Sequence, residues 1–306
     1  MLQKRAGYVE MKDGSRLPTE LMRNRLRHRI LRVKTADRVA KVVKGSGKFR
    51  RREWDTSEEA RCLLLRNRAE WRFLRKQTHP GLVRVYDRVV DEHGDEGYLC
   101  EPLMEHRTKD GPHPFSVSLG AWLTSGSFLA QAASVLHAHK LVHGDITPSN
   151  VPRRGTKPVL IDFENSVKVG QRLTQNPGGH EDSLIIATPS CCSPEQTKGE
   201  PVTPTSDVFC IGLTMLSWVS GFHGMDGSMP NQSADDLFTL CHLAQYPHWE
   251  MVEERVRNTE ALAAVKLALS RDPEERYQDG TQMSLVLEGV MRRLSDAEFN
   301  RPLRTT

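Results

Sequence analysis

The chain changes character once, near residue 105, and that change limits the folds open to it. Before it, short runs rich in β-branched residues alternate with turn signals. Val39–Val43 is stopped by Gly45-Ser46-Gly47, and Leu82–Val90 and Gly97–Leu103 flank a turn at Asp91–Glu96. One helical pattern interrupts them, from Ser57 to about Gln77, with Leu64, Trp71 and Leu74 among its apolar positions. After the Pro/Gly/His-rich link Lys109–Pro114, helical patterns dominate, at about 117–124, 126–139, 206–220, 234–243, 259–269 and 281–293. Strands first and helices after predict an α+β chain with a small β-rich lobe and a larger helical lobe. Asp13-Gly14 reads as a tight turn. The spacing of Leu21, Met22, Leu26, Ile30 and Val33 favours an amphipathic helix, although Leu31-Arg32-Val33 equally suits the start of a strand. The expected segments are a basic extension over 1–29, an N-lobe over 30–104, a C-lobe over 105–295 and a tail over 296–306.

Composition excludes several alternatives. With 306 residues, 38% of them hydrophobic and 27% charged, and a mean hydropathy of −0.52, the chain resembles a soluble globular protein and not a disordered or collagenous one. The most apolar run, Val208–Val219, is interrupted by Gly212, Thr214 and Ser217 and reads as a buried helix, well short of the roughly 20 apolar residues of a membrane span. No apolar stretch follows Lys4 and Arg5, so no secretory signal is expected. The six cysteines show no zinc or CxxC spacing, which predicts reduced thiols and a cytoplasmic location. Charge is uneven: residues 1–54 hold 17 Lys/Arg against 5 Asp/Glu, and the remainder is net acidic. Such an end attracts nucleic acid, an acidic partner or the chain's own acidic residues, and no zinc-finger, RNP or helix-turn-helix signature supports the first.

The chemistry concentrates in His143-Gly144-Asp145-Ile146-Thr147-Pro148-Ser149-Asn150 and Val159-Leu160-Ile161-Asp162-Phe163-Glu164. Asp145 and Asn150 lie five apart on a loop, and Asp162 ends an apolar run twelve residues after Asn150. Phosphoryl transfer needs oxygen ligands for Mg²⁺ and one carboxylate to orient the attacking hydroxyl, and this set supplies both.

These segments resemble the protein kinase family, the first matching H-R-D-L-x-x-x-N and the second D-F-G with its glycine replaced. Further motifs follow in family order. Ser193-Pro194-Glu195 is similar to A-P-E, Ser206–Gly212 to the start of the buried helix that anchors the catalytic loop, and Arg271–Arg276 to the segment whose Arg pairs with the A-P-E Glu. Upstream, Val39-Ala40-Lys41 resembles V-A-I-K, and Glu70 stands nine residues before His79-Pro80, as the family's helical Glu does. Leu99–Leu103 resembles the strand and hinge that meet adenine. The resemblance spans roughly residues 30–293 and points to bacterial Ser/Thr kinases of the eukaryotic-like type.

The resemblance implies ATP and Mg²⁺ as cofactors and a protein as substrate. It implies Asp145 as catalytic base, Thr147 as its catalytic-loop companion, and Asn150 and Asp162 as metal ligands. Lys41, Glu70, Glu101 and Leu103 are implied as nucleotide-site residues, and His143, Phe163, Glu195, Asp207 and Arg276 as structural ones, with Glu195 paired to Arg276. Four departures stand against it. No glycine lies between Gly14 and Gly45, so the Gly-rich loop is missing, and arginines 23, 25, 27, 29 and 32 are candidates to replace it. Thr147 replaces a Lys. Glu164 replaces the D-F-G glycine, which restricts the backbone. Gly144 replaces the Arg that clasps a phosphorylated activation segment, so activity is expected without such phosphorylation. The basic insert Lys44–Trp54 reads as a loop. Two other readings remain: a small-molecule kinase of the aminoglycoside or choline kinase type, with kinases of modified peptides beside it, and a non-catalytic pseudokinase scaffold.

Overall fold

A computed structural model of the chain describes residues 7–24, 28–44, 58–104, 113–173, 191–220 and 246–303. It divides into two compact units, Met1–Thr78 with Leu82–Leu103, and His79–Gly81 with Met104–Thr306.

The first unit is a closed antiparallel barrel with one helix. Its strands are β1 (Gly7–Met11), β2 (Arg16–Asn24), β3 (His28–Val33), β4 (Arg38–Val43), β5 (Val85–Asp91) and β6 (Glu96–Cys100). They pair in the order β1-β2-β3-β4-β6-β5, and β1 closes the ring on β5 with Val9 opposite Asp91. Period-two alternation turns Val9, Leu31, Val33, Ala40, Val42, Val89 and Leu99 into the core. The Asp13-Gly14 turn forms as expected, with the Ser15 amide donating to the Asp13 carboxylate at 2.9 Å.

The helix suggested for Leu21–Val33 is replaced by strands β2 and β3. Leu31 and Val33 are buried while Arg32 between them is exposed, a strand's alternation, and Leu21 and Met22 are both exposed, where a helix would have buried a face. Residues 7–24, assigned by sequence to the extension, thus supply two barrel strands. Closure leaves no unpaired sheet edge in this ring.

Helix α1 (Glu58–Leu74) buries Leu63, Leu64, Asn67, Glu70 and Leu74, one face at i, i+3/i+4 spacing. On β4, Ala40 and Val42 point into the barrel, so Lys41 between them points to its outside, where its amine meets Glu70 of α1.

The second unit is mainly helical: α2 (Leu119–Ala138), α3 (Pro194–Thr197), α4 (Pro204–Ser220), α5 (Tyr246–Val256), α6 (Thr259–Ala268), α7 (Gly280–Arg293) and α8 (Asp296–Phe299). Short antiparallel pairs join β7 (Leu141–Val142) to β10 (Val167–Lys168), and β8 (Arg153–Arg154) to β9 (Lys157–Pro158). Side chains of Ser118, Asn258 and Asp279 cap α2, α6 and α7. The two helices expected at 117–124 and 126–139 are one. Gly126 sits inside it because any side chain there would strike the Met215 sulfur, 2.4 Å from an added Cβ. Helix α4 is buried from Thr205 to Val219, as the run Val208–Val219 suggested, and the Trp122 indole donates to the Met215 carbonyl at 2.9 Å. The pattern at 234–243 and most of the insert lie outside the described residues. Among the described residues no helix is long and apolar enough to cross a membrane, and Cys62, Cys100, Cys191, Cys192 and Cys210 are all free thiols.

Candidate active site

The candidate site residues fall into two sets, one in each unit. In the first, the Lys41 amine lies 3.2 and 3.4 Å from the two Glu70 oxygens. The Glu70 side chain is fully buried and that of Lys41 nearly so, so the pair is sheltered from screening by salt. Burial first, then the Glu70 and Glu101 charges, push the nearby Cys100 thiol up to about 12 against the Lys41 charge, so it stays protonated. Glu101 is used locally: its carboxylate accepts the Arg84 amide at 2.7 Å, while its own amide donates to the Arg84 carbonyl. Leu103 is half-buried at the end of this unit.

The arginines proposed to replace a Gly-rich loop need one correction. Arg29 is an internal link, its guanidinium donating to Asp91 at 2.6 Å and also to Asp95. Asp91 is fixed in turn by the amides of His93 and Asp95. Burial pulls the Arg29 guanidinium down, but the two carboxylates outweigh it and hold the charge. Arg29 therefore staples β3 to the β5–β6 turn. Arg32 is exposed, and Arg25 and Arg27 lie outside the described residues.

In the second unit, the catalytic-loop candidates are held from three sides. Asp207 at the start of α4 is fully buried and accepts the amides of His143 at 2.7 Å and Gly144 at 2.9 Å. It also meets the His137 ring at 3.0 Å. The Gly280 amide donates to the other His137 nitrogen, so His137 is neutral and gives its Nε2 proton to Asp207. His143 is arranged alike: Nδ1 accepts the Asp145 amide at 3.3 Å, Nε2 faces the Ile161 carbonyl at 3.1 Å, and its ring meets Phe163 edge-on. That places His143 as a neutral brace between the loop and the Asp162 segment.

Asn150 donates both carboxamide hydrogens to Asp145, at 2.9 Å to the carbonyl and 3.0 Å to Oδ2. Its own oxygen then faces away from Asp145. Thr147 is 2% exposed and caps the single turn Pro148–Asn150, its hydroxyl accepting the Asn150 amide at 3.3 Å. Thr147 therefore touches Asn150 and Ser149 and presents no cation.

Asp162 has φ +67, the left-handed region that a non-glycine residue enters at an energetic penalty. The Ile161 amide bonded to Asn150 and the Phe163 ring against His143 bracket it. The strain expected at Glu164 is absent. Glu164 lies inside the turn Phe163–Asn165 with no positive φ, so the left-handed residue is the aspartate and not the one after Phe163. Gly144, read as a lost Arg, has φ +77, and an added Cβ would lie 3.0 Å from Leu173 and 3.2 Å from the Asn165 carbonyl. The position suits glycine on both counts.

Glu195 and Arg276 form a bidentate pair at 2.8 and 3.0 Å. The remaining Arg276 hydrogens go to the carbonyls of Thr205, Ser270 and Arg271, which satisfies all five donors. Burial pushes the Glu195 carboxyl up, but the Arg276 hydrogen bonds and charge outweigh it and hold the carboxyl below the usual range. Two residues near Asp145 had no signal in the motif spacing. Asn165 lies 3.5 Å from the Asp145 carboxylate, and Gln196 donates to the Gly144 carbonyl at 2.8 Å.

Residues 34–286 match the protein kinase domain family. The chain is 32% identical over 167 residues to the serine/threonine-protein kinase PkaA of Streptomyces coelicolor, covering 49% of this chain and 28% of that protein. It is 30% identical over 160 residues to the DNA damage-responsive serine/threonine-protein kinase RqkA of Deinococcus radiodurans, covering 50% of this chain and 23% of that one. The chain thus spans well under two thirds of the curated relatives it matches. The granulovirus kinase PK-1 of Cydia pomonella shares the fold, with a TM-score of 0.59 at 16% identity over 87% of this chain and 92% of the viral one. Motifs in order, a buried brace under the loop and a family match over most of its length make one conclusion: the chain belongs to the protein kinase family.

Proposed function

We propose that the protein is an ATP- and Mg²⁺-dependent protein kinase that phosphorylates Ser or Thr on a protein substrate. The observation that carries this reading is the doubly donated Asn150–Asp145 contact. It fixes the carboxylate that would receive a hydroxyl proton and turns the Asn150 oxygen outward as a hard ligand. That oxygen and the Asp162 carboxylate fit a metal that takes few protein ligands and completes its shell with phosphates and water. No denser cluster of acidic, His or Cys ligands occurs among the described residues. Bound Mg²⁺ would neutralise the phosphate charge.

In this reading Lys41, oriented by Glu70, holds the nucleotide phosphates. Asp145 accepts the proton as the substrate oxygen bonds to the γ-phosphorus and the bond to ADP breaks. Thr147 acts by positioning Asn150, and Leu103 and the backbone beside Glu101 serve the adenine. The buried Glu195–Arg276 pair supports a protein acceptor over a small-molecule one, because it fixes the segment Ser193–Thr197 that in protein kinases borders the substrate. The printed names of the relatives support Ser/Thr over Tyr.

The test is an intact-mass time course with Mg-ATP on the native chain and on Asp145→Asn. Phosphate adducts on the native chain alone, mapped to Ser or Thr, are expected. Adducts on neither chain would overturn the reading in favour of a nucleotide-binding scaffold or a small-molecule kinase.

A further inference from the structure

Gly144, next to Asp145, lacks a side chain and sits at φ +77, so its backbone is conformationally permissive. Its peptide plane also contains the Asp145 nitrogen, so whatever fixes the Gly144 carbonyl fixes the backbone entry to Asp145. The Asp145 amide makes a 3.3 Å contact to His143. The Gly144 amide is held by Asp207, and the Gly144 carbonyl by Gln196 at 2.8 Å. Gln196 is 1% exposed, so water does not compete for this bond. Its oxygen accepts the Ser193 amide at 2.8 Å and the Cys210 thiol at 3.4 Å, which commits the carboxamide to donating toward Gly144.

We propose, on the kinase reading above, that Gln196 is a positioning residue that sets the orientation of Asp145 through the Gly144 carbonyl. The bond runs from the substrate-bordering segment to the loop bearing the base, so the order of one is transmitted to the other. A role confined to capping α3 predicts otherwise, because capping uses the Gln196 oxygen and the positioning role uses its N–H.

Gln196→Glu separates the two. It keeps the acceptor for Ser193 and loses the donor to Gly144 until the new carboxyl is protonated. Cys210, which touches Gln196, has its thiol pushed well up by burial and then by Asp207, Cys191, Glu195 and Asp145, while Arg276 is occupied by Glu195. The same surroundings favour a neutral carboxyl at 196.

The experiment measures labelled phosphate transfer from Mg-ATP to dephosphorylated casein by the full chain, for wild type, Gln196→Glu and Gln196→Met, between pH 6 and pH 8. Amide hydrogen exchange over residues 141–150 and melting curves are followed in parallel. At pH 8 both variants should lose about 10- to 100-fold in kcat with KM for ATP little changed. The Gln196→Glu deficit should narrow several-fold toward pH 6, and that of Gln196→Met should not. Exchange over 141–150 should quicken about tenfold in both variants at pH 8, with α6 and α7 unaffected.

Wild-type kcat in Gln196→Met, which lacks the donor at every pH, or a deficit in both variants that is independent of pH and follows the loss of folded protein, would overturn the proposal. Should the wild type itself transfer no phosphate, the kinase reading fails separately. Exchange over 141–150 then decides whether Gln196 orders the loop, and unchanged exchange overturns that as well.

Discussion

The barrel unit and the helical unit stabilise their functional residues in opposite ways. In the barrel, Lys41 and Glu70 face each other across a β4–α1 contact, and the other ion pairs each tie neighbouring elements: Arg29 of β3 to Asp91 and Asp95 at the β5–β6 turn, and Arg68 of α1 and Arg88 of β5 to Glu96 of β6. Remove one and the ring remains closed by its ladder. In the helical unit a set of buried polar links converges on a single loop. Asp207, His137, His143, Asn150 and Gln196 all end on residues 143–145 or on a group that does. The difference teaches where a substitution stays local and where it spreads: the barrel should lose one contact at a time, and the loop network should fail as a unit.

The largest effect should fall on chemistry. Asp145→Asn keeps an acceptor for Asn150 but cannot take a proton, so phosphate transfer should fall about 10²- to 10⁴-fold with the melting temperature nearly unchanged. A loss of stability of the same proportion would show that Asp145 is part of the brace and not its cargo.

Next come two ion-paired arginines, one buried and one half-buried. Arg276→Ala strands a buried carboxylate and should destabilise the protein by about 3–5 kcal/mol in urea titrations followed by tryptophan fluorescence. Arg29→Ala should cost about 1.5–3 kcal/mol, because Asp91 keeps the His93 and Asp95 amides. Equal losses would erase the contrast between the units. Gly144→Ala is the mildest of these. The left-handed φ alone should cost about 1–2 kcal/mol, with a larger loss if Leu173 cannot move aside.

The same contrast explains what the sequence made legible. The helical unit was readable because its family motifs need fixed residue types at fixed spacings: Asp145, Asn150 and Asp162 are close in sequence, and lie on one loop and at the start of the turn Phe163–Asn165. Their supports were not, since Gln196 and Asn165 meet the loop only through folding, and no periodicity marks a side chain that bonds a distant carbonyl. In the barrel the reading failed at Leu21–Val33, where apolar residues at mixed spacing fit helix or strand, and pairing with β4 decided for the strand. Arg29 was misassigned for a related reason. A run of arginines looks like one surface, but alternation sends neighbours to opposite faces, and Arg29 finds two carboxylates more than 60 residues away.

Acid titration gives the finest version of the comparison. The Glu195 carboxyl titrates below its ordinary value of 4.5 when folded, burial raising it but Arg276 lowering it more. A depressed carboxyl adds stability that is complete above the unfolded value and disappears as pH falls through the folded one. In Arg276→Ala the strongest lowering cause is gone and burial is opposed only by the hydrogen bonds from Ser206 and the backbone, so the Glu195 carboxyl should titrate higher than in the native chain and the variant should lose less stability as pH falls. The gap between native chain and variant should therefore be widest near neutrality and close progressively below the ordinary carboxylate range. Urea midpoints measured at pH 7, 5 and 4 would show it. A gap that stays constant would mean that the loss comes from the three carbonyls Arg276 also binds, and that this site depends on the guanidinium's five hydrogen bonds more than on its charge.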